Sequence, residues 1–279
     1  MSPVSPQELR PMTTWRERRR AYLAMLRVEF AESTNYRATF IVWALQSTMP
    51  LIMLAVWWAA TEDGPIRGLG PGDFAAYYLA SLAVRQLTAS WLVWGINGEI
   101  RSGRVMMRLM RPVHPFLAYS AQSLAQMPLR LMAALPPLLL ALLWLGSTHF
   151  TDDPLLLGLF LVSLAGAWLC EFAILVTIGT LGLLVESSIA IYQVWLGIHA
   201  LLSGYLIPLA MMPEGVRGAV AVLPFRYLLS FPIEVLLGSL ARGEALRHLG
   251  MQWAYTFGFL GLALFVWRAG LRRYQAYGG

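Results

Sequence analysis

Few side chains of this chain have both the type and the spacing that covalent chemistry requires. His199 and Ser203 stand four positions apart, so on a helix they share one face and could act as base and nucleophile. Such pairs are frequent by chance, and a hydrolase is retained only as an alternative. The single cysteine, Cys170, lies in an apolar run, and the four histidines lack the paired spacing of metal ligands. We therefore predict neither a catalytic residue nor a metal site.

The sequence has 21 lysine and arginine residues in total, and all of them are arginines. A phosphate-binding loop of the Walker type needs a lysine that reaches the nucleotide phosphates, and a Schiff-base enzyme needs a lysine amine. Both kinds of chemistry are excluded for this chain. No cofactor is expected in it, and any nucleotide hydrolysis must be supplied by another protein.

The most informative arginines lie in a short basic stretch, residues 99–115, between two long apolar segments. Four arginines are spaced three, four and three apart, which places them on one side of a helix, with four apolar residues opposite. An amphipathic surface helix between two spans could dock a soluble partner, although the arginines could instead serve only cytoplasmic retention and lipid contact. The arginines are Arg101, Arg104, Arg108 and Arg111, the apolar residues are Val105, Met106, Leu109 and Met110, and Glu99, Gly103 and Pro112 complete the candidate docking segment.

Composition predicts that the elements around this stretch lie in a membrane. Hydrophobic residues make up 58% of the chain and charged residues 13%, whereas a soluble domain carries about 25% charge. The net charge of +6 does not indicate nucleic-acid binding, because the arginines gather beside the apolar segments, where anionic lipid attracts them. The predicted fold class is an all-α integral membrane protein.

Six apolar stretches reach the length of about 20 residues that a helix needs to cross a bilayer. Before the first of them, a basic segment with an apolar stripe predicts an interfacial helix. We therefore predict a loose tail over residues 1–14 and one transmembrane domain over residues 15–279. The interfacial helix covers residues 15–37, and the spans lie near residues 38–60, 74–95, 116–146, 154–184, 188–210 and 248–270.

The distribution of charge predicts the orientation. With six spans and both termini in the cytoplasm, 14 of the 21 arginines fall in cytoplasmic pieces and five in outer loops. This is the bias expected from the positive-inside rule. The basic stretch is thereby placed in the cytoplasm.

Residues 211–237 are apolar but interrupted by prolines and by charged residues, among them Arg226 and Glu234. A seventh span there would move the C-terminal arginines to the outside, so two short broken helices that dip into the outer leaflet fit better. Irregular backbone at that depth must be covered by protein or line a cavity, and we expect an outer gate. A plain external loop is the alternative. The candidate gate residues are Pro208, Pro213, Pro224, Arg226, Pro232 and Glu234.

Three charged residues fall inside predicted spans, where charge is costly and marks a pathway or a buried pair. Arg130 and Glu171 both lie toward the cytoplasmic half, and we expect Glu171 to neutralise Arg130, with Arg85 as the second choice. Glu171 could also attract a cationic substrate. An ion-coupled secondary transporter remains an alternative, although it would need more intramembrane carboxylates and usually an inverted repeat.

Four segments carry a resemblance to a known family. They are the basic helix before the first span, GEIRSGRVMMRLMRPVHPF at residues 98–116, SGYLIPLAMMP at residues 203–213, and LPFRYLLSFPIEVLLG at residues 223–238. In order and spacing the chain resembles the six-span permeases of ABC-2 type exporters that have no fused ATPase, the type V exporter architecture.

The resemblance implies several partners and roles. Two copies of a separate ABC ATPase, which bind ATP and magnesium, would assemble with two permeases, this chain and either a second copy or a sister subunit. Residues 99–111 would be the coupling helix, residues 15–37 the connecting helix and residues 211–237 the re-entrant outer helices. The expected location is a bacterial cell membrane, with the substrate (lipid, peptide, hydrophobic cation or natural product) left open.

Overall fold

The computed structural model describes residues 15–35, 48–111, 113–145 and 149–276. Over these residues the chain is helical, and its one β-type contact is an isolated bridge between Ile66 and Leu69. The predicted all-α class is thus confirmed for this part of the chain. The helices are α1 (Trp15–Asn35), α2 (Thr48–Ala60), α3 (Pro71–Thr88), α4 (Leu92–Arg101), α5 (Val105–Leu109), α6 (Pro115–Ala125), α7 (Met127–Leu145), α8 (Pro154–Leu181), α9 (Ile189–Leu202), a 3-10 turn (Leu209–Met211), α10 (Glu214–Val222), α11 (Pro224–Leu228), α12 (Ser230–Leu236) and α13 (Arg242–Ala276).

Helices α8 and α13 form the centre of the bundle and pack against each other along much of their length. Within the described residues, 154–181 and 242–273 are the two helices long and apolar enough to cross a bilayer. The carboxylate of Asp153 caps α8 by accepting from the Leu155 amide at 2.9 Å, and Pro154 opens its first turn. The predicted span at 154–184 is close to the observed helix, whereas the one at 248–270 is the middle of a longer helix.

The α8–α13 contact depends on a small residue and a buried amide. Gln252 of α13 lies against Gly166 of α8, where a Cβ atom would come within 3.0 Å of its side-chain oxygen. Its amide nitrogen donates to the carbonyl of Ser163 at 2.9 Å and to that of Tyr227 at 2.8 Å. One side chain thereby joins α8, α11 and α13.

Three of the predicted spans are not single helices, and those predictions were wrong in that respect. The segment at 74–95 breaks at residues 89–91, between α3 and α4, and the segment at 116–146 breaks at Gln126, just before Pro128. The segment at 188–210 leaves the helix after Leu202, because Gly204 adopts a φ of 87° and Pro208 follows. The number of spans therefore remains a prediction.

Some of the remaining predicted boundaries can be compared with the structure, and others fall on residues that it does not describe. Helix α1 runs over 15–35, close to the predicted 15–37, and packs along α6, where the hydroxyls of Tyr22 and Ser120 are 3.0 Å apart. Of the predicted apolar stripe, Tyr22 and Leu26 are partly buried, whereas Leu23 and Phe30 are exposed. The predicted tail 1–14, the first half of the span at 38–60 and Pro112 lie outside the described residues.

Candidate functional site

The basic stretch folds as a bent connection, here called the elbow (residues 99–111 and 113–115). Helix α4 ends at Arg101, the chain turns at Gly103 with a φ of 72°, and the short helix α5 follows. Positive φ favours glycine because a Cβ would be strained there. The elbow ends where the His114 ring accepts the Phe116 amide at 3.2 Å and α6 begins. The prediction of one continuous amphipathic helix was therefore wrong, since Gly103 divides it.

Arg108 does not belong to an exposed arginine stripe, which corrects the prediction for this residue. Its guanidinium forms an ion pair with Glu99, and both side chains are 16% exposed. The Tyr119 hydroxyl donates to the same carboxylate at 2.9 Å, and Arg108 lies over the Tyr119 ring at 4.6 Å. The three side chains join α4, α5 and α6 at the base of the elbow.

The outer surface of the elbow combines three arginines with three methionines. Arg101, Arg104 and Arg111 are exposed, and so are the methionines. Methionine adapts to irregular partner surfaces, and a contiguous apolar patch rimmed by charge is typical of an interaction site. The exposed methionines are Met106 (48%), Met107 (56%) and Met110 (78%).

The apolar side of the elbow also differs from the prediction. Of the four residues expected to face the membrane, Val105 is fully buried and Leu109 is half-buried, whereas Met106 and Met110 are on the exposed surface. Val105 packs with Leu183 at the end of α8 and with Trp267 near the end of α13. The elbow is thus packed against the two central helices.

Glu29 of helix α1 lies close enough to the elbow for its charge and that of Arg108 to interact. Burial, together with the carboxylate of Glu32, raises the pKa of Glu29, while the charge of Arg108 acts in the opposite direction. On the other side of the elbow, burial and the charge of Arg268 lower the pKa of His114. Charges of α1, the elbow and α13 therefore act on one another at this end of the bundle.

The opposite end of the bundle contains the outer segment (residues 203–237). It holds the 3-10 turn and the three short helices α10, α11 and α12, where two broken helices were predicted. Pro208, Pro213 and Pro224 each precede or open one of these pieces, and Pro232 is buried inside α12. The prolines thus divide the segment, as their spacing predicts.

Arg226 and Glu234 of the outer segment form an ion pair at 2.6 Å. Both line a cavity of about 720 Å³ together with Pro208, Arg217 and Asp73. Burial raises the pKa of Glu234, and Arg226 opposes this effect. The sequence-based gate residues Pro208, Arg226 and Glu234 are therefore brought to one cavity, with two further charges that sequence reasoning missed.

The irregular chain after α9 has its carbonyl groups satisfied by side chains of neighbouring helices. Tyr77 donates to the carbonyl of Gly204 at 2.9 Å and Tyr78 donates to that of Leu206 at 2.8 Å. Backbone groups at membrane depth need such partners. In the same region the side chains of His199 and Ser203 do not hydrogen-bond to each other, since the ring Nε2 and the hydroxyl both lack a partner in the described structure. The structure gives no support to a base and nucleophile pair.

The three intramembrane charges are not paired as expected. Arg130 is 1% exposed and donates to the carbonyl of Ser123 at 3.0 Å, and no ion pair joins it to Glu171 in the part of the chain that is described. The charge that acts on Glu171 is that of Arg85, the second choice. Arg85 and Glu171 line a common cavity of about 270 Å³.

An apolar helical bundle with charged cavities at one end and in its interior, and an elbow at the other end, defines the architecture of a membrane permease. Residues 72–278 match the family described as ABC-2 family transporter protein, and the chain belongs to this family. The resemblance to ABC-2 type permeases is thereby confirmed. No curated protein and no solved structure matches the chain. As a member of this family it is a transport subunit that associates with an ABC ATPase.

Proposed function

We propose that this chain is the permease subunit of an ATP-driven exporter and moves a hydrophobic or amphiphilic substrate outward across the membrane. The observation that carries the proposal is the elbow, whose exposed arginine and methionine surface is fixed to the bundle by buried contacts. A partner ATPase that grips this surface can move the helices to which it is joined.

The elbow has a direct connection to the interior cavity. Helix α4 runs from Trp91 and Trp94, which line the cavity together with Glu171, to Arg101 at the elbow. The ion pair of Glu99 with Arg108 prevents α4 and α5 from moving independently. A displacement of the elbow toward the bundle therefore changes the wall of the cavity, and this supports coupling between ATP hydrolysis and transport.

The remaining composition of the complex is taken from the permeases that the sequence resembles. Two copies of a separate ATPase bind ATP and magnesium, and this chain, which has no lysine, lacks the residue that a phosphate loop of its own would need. Two permeases, either two copies of this chain or this chain and a sister subunit, enclose the transport path. Both termini and the elbow lie in the cytoplasm, as the arginine bias indicates, and the outer segment forms the gate on the far side. The resemblance implies that the membrane is that of a bacterial cell.

Co-purification with the ATPase tests the proposal. The double variant Arg104→Glu, Met107→Glu reverses one charge and adds another on the exposed elbow, away from its buried contacts. We expect it to lose the ATPase from the purified complex. Arg247→Glu, on an exposed residue near the other end of α13, is the matched control and should retain the ATPase. A complex that survives the elbow variant with full ATP hydrolysis would contradict the proposal.

A further inference from the structure

The interior cavity lies where the chain leaves the helix between α3 and α4. Residues 89–91 line it, and Ala89 has an extended backbone with a ψ of 147°. Helix breaks at membrane depth are tolerated where they face protein or a water-filled cavity. The break thus opens a polar space inside a segment that the sequence predicts to be a single span.

Glu171 is the acidic group of this cavity. The residue is 3% exposed, and its Oε2 has no hydrogen-bond partner within the described residues. A buried carboxylate oxygen without a donor is costly, because nothing replaces the water it has lost. The site is therefore incomplete without a cationic or hydrogen-bonding ligand.

Arg85 is the basic group of the same cavity. It also lines a second cavity of about 240 Å³ and lies over the Tyr205 ring at 5.3 Å. Arg85 and Glu171 act on each other electrostatically, yet they do not form an ion pair. Two opposite charges held apart on one cavity wall match a ligand that carries both charges at a fixed separation.

The mouth of the cavity is aromatic and exposed. Trp91 is 39% exposed and Trp94 is 44% exposed, and both line the cavity beside the exposed Gln193. Tryptophan combines an apolar face with a hydrogen-bond donor, so it suits the junction of a polar group and an apolar body. An apolar tail can therefore lie against these two rings while a polar group enters the cavity.

We propose that this cavity binds the zwitterionic group of an amphiphile, with the anionic part on Arg85 and the ammonium part on Glu171. This inference rests on the proposed transport function and names the substrate class of the exporter. A zwitterionic lipid headgroup and a short apolar peptide share this chemistry. The cavity thus selects ligands by their two opposite charges and accepts a variety of apolar tails.

Binding of three matched probes tests the proposal without the ATPase. The purified chain is placed in nanodiscs of phosphatidylglycerol and titrated with the dipeptide Phe-Phe, its C-terminal amide and its N-acetyl form by calorimetry. Loss of one charge-assisted contact should weaken binding about tenfold. We therefore expect the zwitterion to bind about tenfold more tightly than either singly charged form. Equal affinity for the zwitterion and the amide, or for the zwitterion and the N-acetyl form, would overturn the proposal.

Variants assign each charge to its residue. Glu171→Gln should make the zwitterion bind no better than the N-acetyl form, and Arg85→Gln should make it bind no better than the amide. Glu186→Gln and Arg247→Gln, on exposed residues, are the matched controls and should keep the wild-type preference. An unchanged preference for the zwitterion in both cavity variants would overturn the assignment of the charges. If a variant fails to fold, the titration of the wild-type chain with the three probes still tests whether the cavity binds a zwitterion.

Nanodisc composition separates the two sources of the zwitterion. If a lipid headgroup is the natural occupant, replacing phosphatidylglycerol by phosphatidylethanolamine should weaken dipeptide binding by competition. If a peptide-like solute is the occupant, the affinity should stay the same, and either result supports a zwitterionic site. Failure of the elbow variants to release the ATPase would leave these titrations unchanged, so the proposed function and this inference fail separately.

Discussion

Glu99 is the residue through which the elbow is fixed to the bundle. Its carboxylate accepts from Tyr119 and forms the ion pair with Arg108, nine residues further along the chain. The spacing alone suggested that Arg108 faces a partner, because a continuous helix would carry it outward. The turn at Gly103 reverses this expectation, and only the three-dimensional path of the chain reveals it.

The substitution Glu99→Gln tests this contact. It leaves the half-buried Arg108 without its carboxylate, and we expect a loss of about 1–3 kcal/mol of stability together with reduced stimulation of the ATPase. Thermal unfolding of the purified chain and ATP hydrolysis by the complex are the two measurements. Arg108→Gln should have a similar effect, and the double variant should cost less than the sum of the two single variants. Strict additivity would contradict a direct interaction.

The ion pair of Asp153 with Arg242 should make the stability of the folded chain depend on pH. The hydrogen bond from Arg242, at 2.6 Å, lowers the pKa of this carboxyl below its ordinary value. A depressed pKa means that the stabilisation is present above the unfolded-state value, about 3.9, and is lost as the pH falls through the folded-state value. Asp153→Asn keeps a side chain that can cap α8 but removes the charge.

Thermal unfolding midpoints measured between pH 7 and pH 3 check this dependence. The wild-type chain should lose stability on acidification, and Asp153→Asn should lose less over the same range. Asp152→Asn changes the neighbouring exposed carboxylate and is expected to behave like the wild type. If Asp153→Asn and the wild type showed the same acid dependence, the ion pair with Arg242 would not contribute.

At the scale of the elements, Gly103 sets the direction of the elbow. Its φ of 72° strains any other residue, while the space around a Cβ atom there is open. Gly103→Ala should therefore cost about 1 kcal/mol through the backbone alone and should weaken ATPase binding by turning α5. Gly98→Ala has equally open space but lies inside α4 without a positive φ, so it should not lower the unfolding midpoint and should leave co-purification unchanged. Equal behaviour of the two variants would contradict the role of the turn.

The contact between α8 and α13 makes a second prediction at this scale. An alanine at position 166 would crowd the side-chain oxygen of Gln252 at 3.0 Å. We expect Gly166→Ala to displace the amide that joins the two helices and to lower the unfolding midpoint. Gly158→Ala, on the same helix with no atom near the new Cβ, should not lower it. If Gly166→Ala left the unfolding midpoint unchanged, Gln252 could move without loss of stability, and the prediction would be contradicted.

The sequence predicted some elements well and others poorly, for identifiable reasons. The long helix α8 follows from an apolar run between Asp153 and Gly182 in which Glu171 is the one charged residue, and the pieces of the outer segment follow from their prolines. The break at residues 89–91 has neither glycine nor proline, so the sequence offered no signal for it. The pairing of Arg130 was predicted from depth in the membrane, which does not determine toward which helix a side chain points.

At the scale of the whole molecule, the elbow and the outer segment lie at opposite ends of the α8–α13 pair. Contacts at the elbow involve the C-terminal ends of both helices, whereas Asp153 and Arg242 pair at their N-terminal ends. The proposed ATP-driven transport places the motor at the elbow end. An ion-coupled secondary transporter, the alternative from the sequence, would not require a partner protein at either end.

Cross-linking in cells tests the central claim, that an ATPase docks on the elbow, most directly. A photoreactive amino acid is placed at position 107 of the elbow, and in a second strain at position 247, near the other end of α13. The docking account predicts a cross-linked product with the ATPase from position 107 and none from position 247. An ATPase product from position 247, or its absence from position 107 while the transporter is active, would contradict it.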